Sequence, residues 1–134
     1  MTRQDGRNHL LIAEDEPDIR RLVSKVATPQ GWKVIECANG IQLLEAVPTL
    51  PLNAVLLIDI MMPELDGVEA VPELAKIAHG QPVYFLTGGM PVYAQIVRHL
   101  CKREGLNLQD VLAKPISVAA ISAILAKHAT ASNG

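Results

Sequence analysis

Three carboxylates in a row, Glu14, Asp15 and Glu16, stand immediately before Pro17. A further acidic residue, Asp59, closes the most hydrophobic run of the sequence, Ala54–Asp59. A hydroxyl, Thr87, precedes Gly88 and Gly89, and an ammonium, Lys114, precedes Pro115. Each has an ordinary explanation when taken alone. An acidic run before a proline suits a solvated first helical turn, where the helix dipole favours negative charge. An Asp ending a strand, a Thr before two glycines and a Lys-Pro pair are common turn chemistry. Taken together they point elsewhere. Clustered carboxylates repel one another unless a cation joins them, and Mg²⁺ takes a small number of carboxylates while keeping waters and phosphate oxygens. An ion held by Asp15 and Asp59 would leave Asp59 as an oxygen nucleophile of the aspartyl-phosphate type. Phosphoryl transfer depends mostly on positioning and charge compensation, so Lys114 and Thr87 suit the remaining phosphate oxygens.

Residues so far apart in sequence can act together only if the fold carries them to one edge. Short apolar runs alternate with helical patterns along the chain. His9–Ala13 reads as a first buried strand, and Pro17 opens a helix that repeats Ile19, Leu22, Val23 and Val26 on one face. Trp32–Cys37 alternates, as a strand nearer the sheet edge does, and a short helix follows Gly40 through Leu43, Leu44 and Val47 until Pro48–Pro51 stops it. Ala54–Asp59, apolar on both faces, belongs in the middle of a parallel sheet covered by helices. The loop Met61–Gly67 leads into a helix in which Pro72 predicts a late start or a kink. Pro82–Leu86 is a fourth strand ending at Thr87–Gly89, followed by a helix with Ile96, Val97, Leu100 and Cys101 on one face that stops near Gly105. Val111–Ala113 reads as a brief fifth strand. Ser117 is the N-cap of a last helix carrying Ile121, Ile124, Leu125 and His128, and Ala129–Gly134 reads as frayed.

Five strand–helix pairs make a doubly wound α/β sandwich, because parallel strands need right-handed crossovers. In such a sheet ligands bind outside the carboxyl ends of the strands. Glu14–Glu16, Asp59, Thr87 and Lys114 follow the first, third, fourth and fifth strands, so they converge there.

The bulk properties agree with one compact domain over residues 1–134, its core at about 8–129 between short flexible tails. Hydrophobic residues make up 49% of the 134 and charged residues 19%, which describes a packed globule rather than a disordered chain. A formal net charge of −2 gives no general electrostatic reason to bind nucleic acid or an anionic membrane. There is no apolar run of membrane-spanning length and no apolar stretch of a signal peptide at the start. Cys37 and Cys101 lack metal or redox spacing and read as buried free thiols in a reducing cytoplasm. The histidines, His9, His79, His99 and His128, are scattered and suggest no ligand cluster.

Four segments carry a family resemblance: Leu11–Pro17, Leu57–Gly67, Phe85–Gly88 and Leu112–Pro115. Over nearly its whole length the chain resembles the receiver domains of two-component response regulators. The resemblance implies a flavodoxin-like five-stranded parallel sheet of order 2-1-3-4-5 with helices on both faces. It implies that Asp59 accepts a phosphoryl group from a histidine kinase or phosphotransfer protein. Asp15 would ligate Mg²⁺ directly, Glu14 through water and Met61 through its backbone carbonyl, with Mn²⁺ able to substitute. Thr87 would move toward the phosphoryl group, Lys114 would pair with it, and Gly88 would keep its approach clear. Such a chain is a cytoplasmic signalling module that catalyses only its own phosphorylation and dephosphorylation. It acts on protein partners rather than directly on nucleic acid or membrane, and forms a weak homodimer through helix four, strand five and helix five. With no output segment after residue 129, it either acts alone or was cut from a longer regulator.

Two departures stand out. Receivers carry Tyr or Phe three residues before the lysine as a rotating readout, and here that position is Val111, which has no ring to swing. Tyr84 and Tyr93 lie elsewhere, as packing residues. The stretch from Thr87 to Lys114 is also a few residues longer than usual, which should lengthen the fourth helix or the loop after it. Three rival functions remain. An aspartate-nucleophile phosphatase would place a second Asp where Met61 stands. A flavodoxin-like cofactor binder would want a phosphate-cradling loop after strand one, where Glu14–Glu16 would repel phosphate. A pseudo-receiver that only binds a partner is opposed by the intact acidic set and favoured by Val111.

Overall fold

The computed structural model describes residues 7–89 and 91–130. In chain order the elements are β1 (His9–Ala13), α1 (Pro17–Ala27), β2 (Lys33–Cys37), α2 (Gly40–Ala46), β3 (Val55–Asp59), α3 (Gly67–Ile77), β4 (Val83–Thr87), α4 (Pro91–Glu104), β5 (Leu108–Ala113) and α5 (Val118–His128). Short 3₁₀ turns, Thr28–Gln30 and Val47–Thr49, follow α1 and α2. The strands pair in parallel in the order β2-β1-β3-β4-β5. This is the flavodoxin-like order that the resemblance implied.

The strands alternate their side chains between two helical layers. Leu11, Leu56, Ile58 and Phe85 pack with Leu43, Val71, Leu74 and Val97 beneath α2, α3 and α4. Leu10, Ile12, Val55, Leu57 and Leu86 pack with Val23, Ile121 and Leu125 beneath α1 and α5. Every residue of β1 and β3 is buried, as continuous apolar runs require, whereas β2 and β5 are the half-covered edges. Among the described residues no helix is long and apolar enough to cross a membrane.

Several local expectations change. α3 does not start late: Asp66 and Glu69 form a reciprocal capping box, and the helix runs from Gly67 through Pro72. Two orphan N-terminal amides are satisfied there, which offsets the bond that Pro72 cannot donate. β5 has six residues rather than the three of Val111–Ala113. Its polar start, Leu108–Asp110, hides a strand at a sheet edge, and a bulge opposite Val83 and Tyr84 leaves Gln109 as an extra residue. Between Thr87 and Lys114, α4 takes 14 residues and β5 six, with a short connection between them. Gly105, at φ 82°, ends α4 in the left-handed conformation that favours glycine. Of the stretch expected to be frayed, Ala129–Gly134, Thr130 is tied to the start of the chain's first strand region. The Thr130 amide and hydroxyl both donate to Asn8 Oδ1, at 3.0 and 2.7 Å, and residues 131–134 lie outside the described residues. Cys37 and Cys101 are buried free thiols, and burial pushes both up to about 11.

Candidate functional site

β1, β3 and β5 deliver the chemistry at their carboxyl ends. The Glu14 amide donates to the Cys37 carbonyl at 2.9 Å, which extends the β1–β2 pairing past Ala13 and draws Glu14 inside. Asp59 ends β3 opposite Leu86, and the next amide, Ile60, still donates to the Leu86 carbonyl. Glu14 and Asp59 are consequently 0% and 1% exposed, while Asp15 lies at the surface. One carboxylate oxygen of each of Glu14, Asp15 and Asp59 lies within 4.8 Å of the others.

Lys114 is the cation facing them. Its Nζ is 2.8 Å from Asp59 Oδ2 and 2.9 Å from Glu14 Oε1. The bond to Asp59 is well directed. The same ammonium pairs with Glu14 Oε1, so one cation serves both buried carboxylates. Burial, and then the neighbouring Asp59 and Asp15 against the relief from Lys114, pushes Glu14 up to about 8. Desolvation works against the charged form of Lys114, but hydrogen bonds and charge from Asp59 and Glu14 prevail and raise it.

Three carboxylates facing one ammonium carry, when ionised, two negative charges in excess. Three carboxylate oxygens gathered within 4.8 Å, with that excess, suit a hard divalent cation. The residues present therefore fit a Mg²⁺ ion.

The remaining site residues stand around this cluster. The Met61 amide donates to Asp59 Oδ1 at 3.1 Å, holding the loop after β3 against the carboxylate, and the Met61 side chain is 53% exposed. Thr87 ends β4 one residue past the partner of Asp59, and its Oγ1 accepts from the Gly89 amide at 3.2 Å. The Lys114 amide donates to the Thr87 carbonyl at 2.8 Å, so strand pairing links the two. A methyl added to Gly88 would lie 3.5 Å from the Lys114 stem, an ordinary contact. Glu16 stays outside the cluster, and its amide donates to Glu14 Oε2 at 3.2 Å. Val111 packs partly buried against the α3–α4 layer, and Tyr84 lies buried beneath α5. The partly buried Tyr93 ring sits beside Gly89.

Supporting residues were missed from sequence. Arg20 donates to the Glu14 carbonyl at 2.6 Å and meets Glu36 at 3.4 Å, pinning the end of β1 to α1. Asn39 caps α2 through the Gln42 amide and also donates to Glu64 Oε1 at 2.9 Å. Glu64 adopts a positive φ of 69°. A Cβ on Gly40 would collide with the Leu65 carbonyl, so only glycine lets α2 approach this loop. The Asn39-Gly40 pair signals a helix start, but nothing local points it at Glu64.

The family model described as the response regulator receiver domain matches residues 10–126. The chain is 35% identical over 79 residues to the response regulator receiver protein CpdR of Brucella abortus, covering 59% of this chain and 65% of that one. It is 30% identical over 130 residues to a CpxR homolog, a transcriptional regulatory protein of Haemophilus influenzae, covering 92% of this chain and 53% of that one. The chain thus spans less than two thirds of the length of these relatives. Among solved structures, a CheY-like receiver domain protein from Methanospirillum hungatei superposes with a TM-score of 0.77 at 18% identity, covering 90% of this chain and 92% of that one. The receiver domain of a Pseudomonas aeruginosa sensor histidine kinase, described with magnesium coordinated in its active site cleft, does so at 0.71 and 27% identity, covering 90% and 96%.

Proposed function

This chain belongs to the response regulator receiver domain family of two-component signalling, and we propose that its switch is phosphorylation of Asp59. The donor is a histidine kinase or phosphotransfer protein. An Asp59 carboxylate oxygen attacks the phosphorus, the bond from phosphorus to the imidazole nitrogen breaks, and its electron pair stays with the histidine. Water later cleaves the acyl phosphate, returning the carboxylate and inorganic phosphate. The chain catalyses these two steps on itself alone.

Bound Mg²⁺, with Mn²⁺ as a substitute, supplies charge compensation for the phosphoryl oxygens. Asp15 and Asp59 would hold it directly, Glu14 through water and Met61 by its backbone carbonyl. Lys114 leaves its bridge between Glu14 and Asp59 for a phosphoryl oxygen, and Thr87 exchanges the Gly89 amide for another. Gly88 leaves that approach open.

The observation that carries this reading is the meeting of three carboxylates, Glu14, Asp15 and Asp59, with the single ammonium of Lys114 at the strand ends. The whole chain is read as one domain with its core at about residues 8–129, working in the cytoplasm through protein partners rather than directly on nucleic acid or membrane. α4, β5 and α5 form its weak homodimer face. With Val111 in place of a mobile ring, the state of Asp59 is read by other residues.

Intact-mass spectrometry after incubation with acetyl phosphate tests the central claim. A gain of one phosphoryl group is expected in Mg²⁺, absent in excess chelator and absent in Asp59→Asn. Labelling that survives in the variant or in chelator refutes the assignment. No gain in a chain shown to bind Mg²⁺ turns the reading to a pseudo-receiver kept for partner binding.

A further inference from the structure

The polar groups of Glu14 are held from several directions. Its amide donates to the Cys37 carbonyl at 2.9 Å, its Oε2 accepts from the Glu16 amide at 3.2 Å, and its Oε1 pairs with Lys114 at 2.9 Å. Its carbonyl accepts from Arg20 Nη1 at 2.6 Å, a short, charge-assisted bond. That carbonyl belongs to the peptide joining Glu14 to Asp15. A peptide is planar, and the amide on the other side of Glu14 is already tied to β2. Holding this oxygen therefore fixes the direction in which Asp15 leaves the chain. Asp15 lies at the surface, and one of its carboxylate oxygens comes within 4.8 Å of those of Glu14 and Asp59.

Arg20 is itself anchored. Its Nε is 3.4 Å from Glu36 Oε1 on β2, and the Ser24 hydroxyl donates to Glu36 Oε2 at 3.0 Å. The Arg20 side chain is 18% exposed, against 63% for Arg21 and 52% for Arg98, which also sit in ion pairs. The planar guanidinium serves the carbonyl and the carboxylate through separate nitrogens, a geometry that the point charge of a lysine lacks. α1, β1 and β2 are thereby joined behind the carboxylates. Glu36 compensates the charge of Arg20, so what the arginine supplies to the site is position.

We propose that Arg20 is a positioning residue for the metal: through the Glu14–Asp15 peptide it aims the Asp15 carboxylate at Mg²⁺ and so sets the affinity for the ion. The inference rests on the reading of Glu14, Asp15 and Asp59 as a Mg²⁺ site. Groups that orient a ligand without touching the ion change metal affinity about 10–100-fold when removed. An arginine that only braced α1 against the sheet would act on the melting midpoint and leave the affinity of the folded chain alone.

Calorimetric titration of the unphosphorylated chain with Mg²⁺ tests it, with melting midpoints in chelator read alongside. Arg20→Met keeps an unbranched stem and loses both contacts, and should bind Mg²⁺ about tenfold more weakly or worse. Arg20→Lys keeps the charge but not the fork, and should fall between that variant and the wild type. Arg98→Met removes the ion pair to Asp110, between α4 and β5, and should leave the affinity unchanged. The Mg²⁺ concentration for half-maximal labelling by acetyl phosphate should rise in the Arg20 variants by the same factors. Wild-type affinity in Arg20→Met overturns the proposal, as does wild-type affinity in Arg20→Lys if the methionine variant does not fold. An equal loss in Arg98→Met overturns it too. Absence of Mg²⁺ binding by the wild-type chain overturns the reading of the site itself, and the inference with it.

Discussion

Two polar groups are buried against the same sheet and are treated in opposite ways. Beneath α5, Tyr84 Oη and His128 Nε2 lie 2.7 Å apart, with their rings edge to face at 82°. Burial, then Asp110, raises Tyr84, and burial, then Lys127, lowers His128, so each is driven toward its neutral form. At the carboxyl edge, Glu14 and Asp59 share a single ammonium, with Asp15 beside them. Burying a polar pair costs little once each group satisfies the other, whereas buried like charges cost a great deal until a counter-charge arrives. The first arrangement holds structure. The second is held short of positive charge, as the proposed phosphorylation site requires.

The sharpest way to break this contrast is to remove the one cation. Lys114→Met leaves Glu14 and Asp59 buried and uncompensated, and should lower urea-unfolding stability in chelator by about 3–5 kcal/mol. A loss below about 1 kcal/mol would mean that the two carboxylates already share a proton without the lysine.

Titration gives the next largest effect. Glu14 is near 8 in the folded chain against an ordinary 4.5, so the unfolded chain releases this proton first. Its contribution to stability is therefore full below pH 4.5 and is lost as pH rises toward 8. Melting midpoints in chelator should fall across that window, and Glu14→Gln should flatten the decline. The same slope in the variant would assign the effect to another group.

The structural pair should respond more mildly. Tyr84→Phe removes the hydroxyl from His128 but buries no charge, and should cost about 1 kcal/mol, read by urea denaturation with and without Mg²⁺. Dependence of that cost on Mg²⁺ would show that the two regions are coupled rather than separate. The smallest shift belongs to the exposed Asp15. Asp15→Ala relieves carboxylate repulsion and should slightly raise the melting midpoint in chelator while weakening Mg²⁺ binding, measured by calorimetry. A lower midpoint in chelator would count against repulsion as its cause.

Most elements were legible because their signals are local. The continuous apolar run before Asp59 could only be an internal parallel strand, and Ser117 caps α5 through the Ala120 amide as its position suggested. The misreadings have local causes as well. Pro72 argued against an early helix start, but the Asp66–Glu69 capping box outweighed it. The polar residues at the start of β5 lie on an edge strand, where period-two alternation is weak. At the site, carboxylate, hydroxyl and ammonium types at successive strand ends were readable. Arg20 and the Asn39–Glu64 contact were not, because their partners lie on other elements.

By itself the sequence determined the alternation of strands and helices, the two-sided burial of the central strands, and which residues stand at the strand ends. Those properties follow from side-chain periodicity and turn chemistry, which act over a few residues. Only the tertiary structure decided that Glu14 is sealed and Asp15 exposed. It also decided that one ammonium, Lys114, bridges two buried carboxylates. Burial, desolvation and charge compensation belong to neighbours brought together by strand pairing, and no stretch of sequence contains its own neighbours in space.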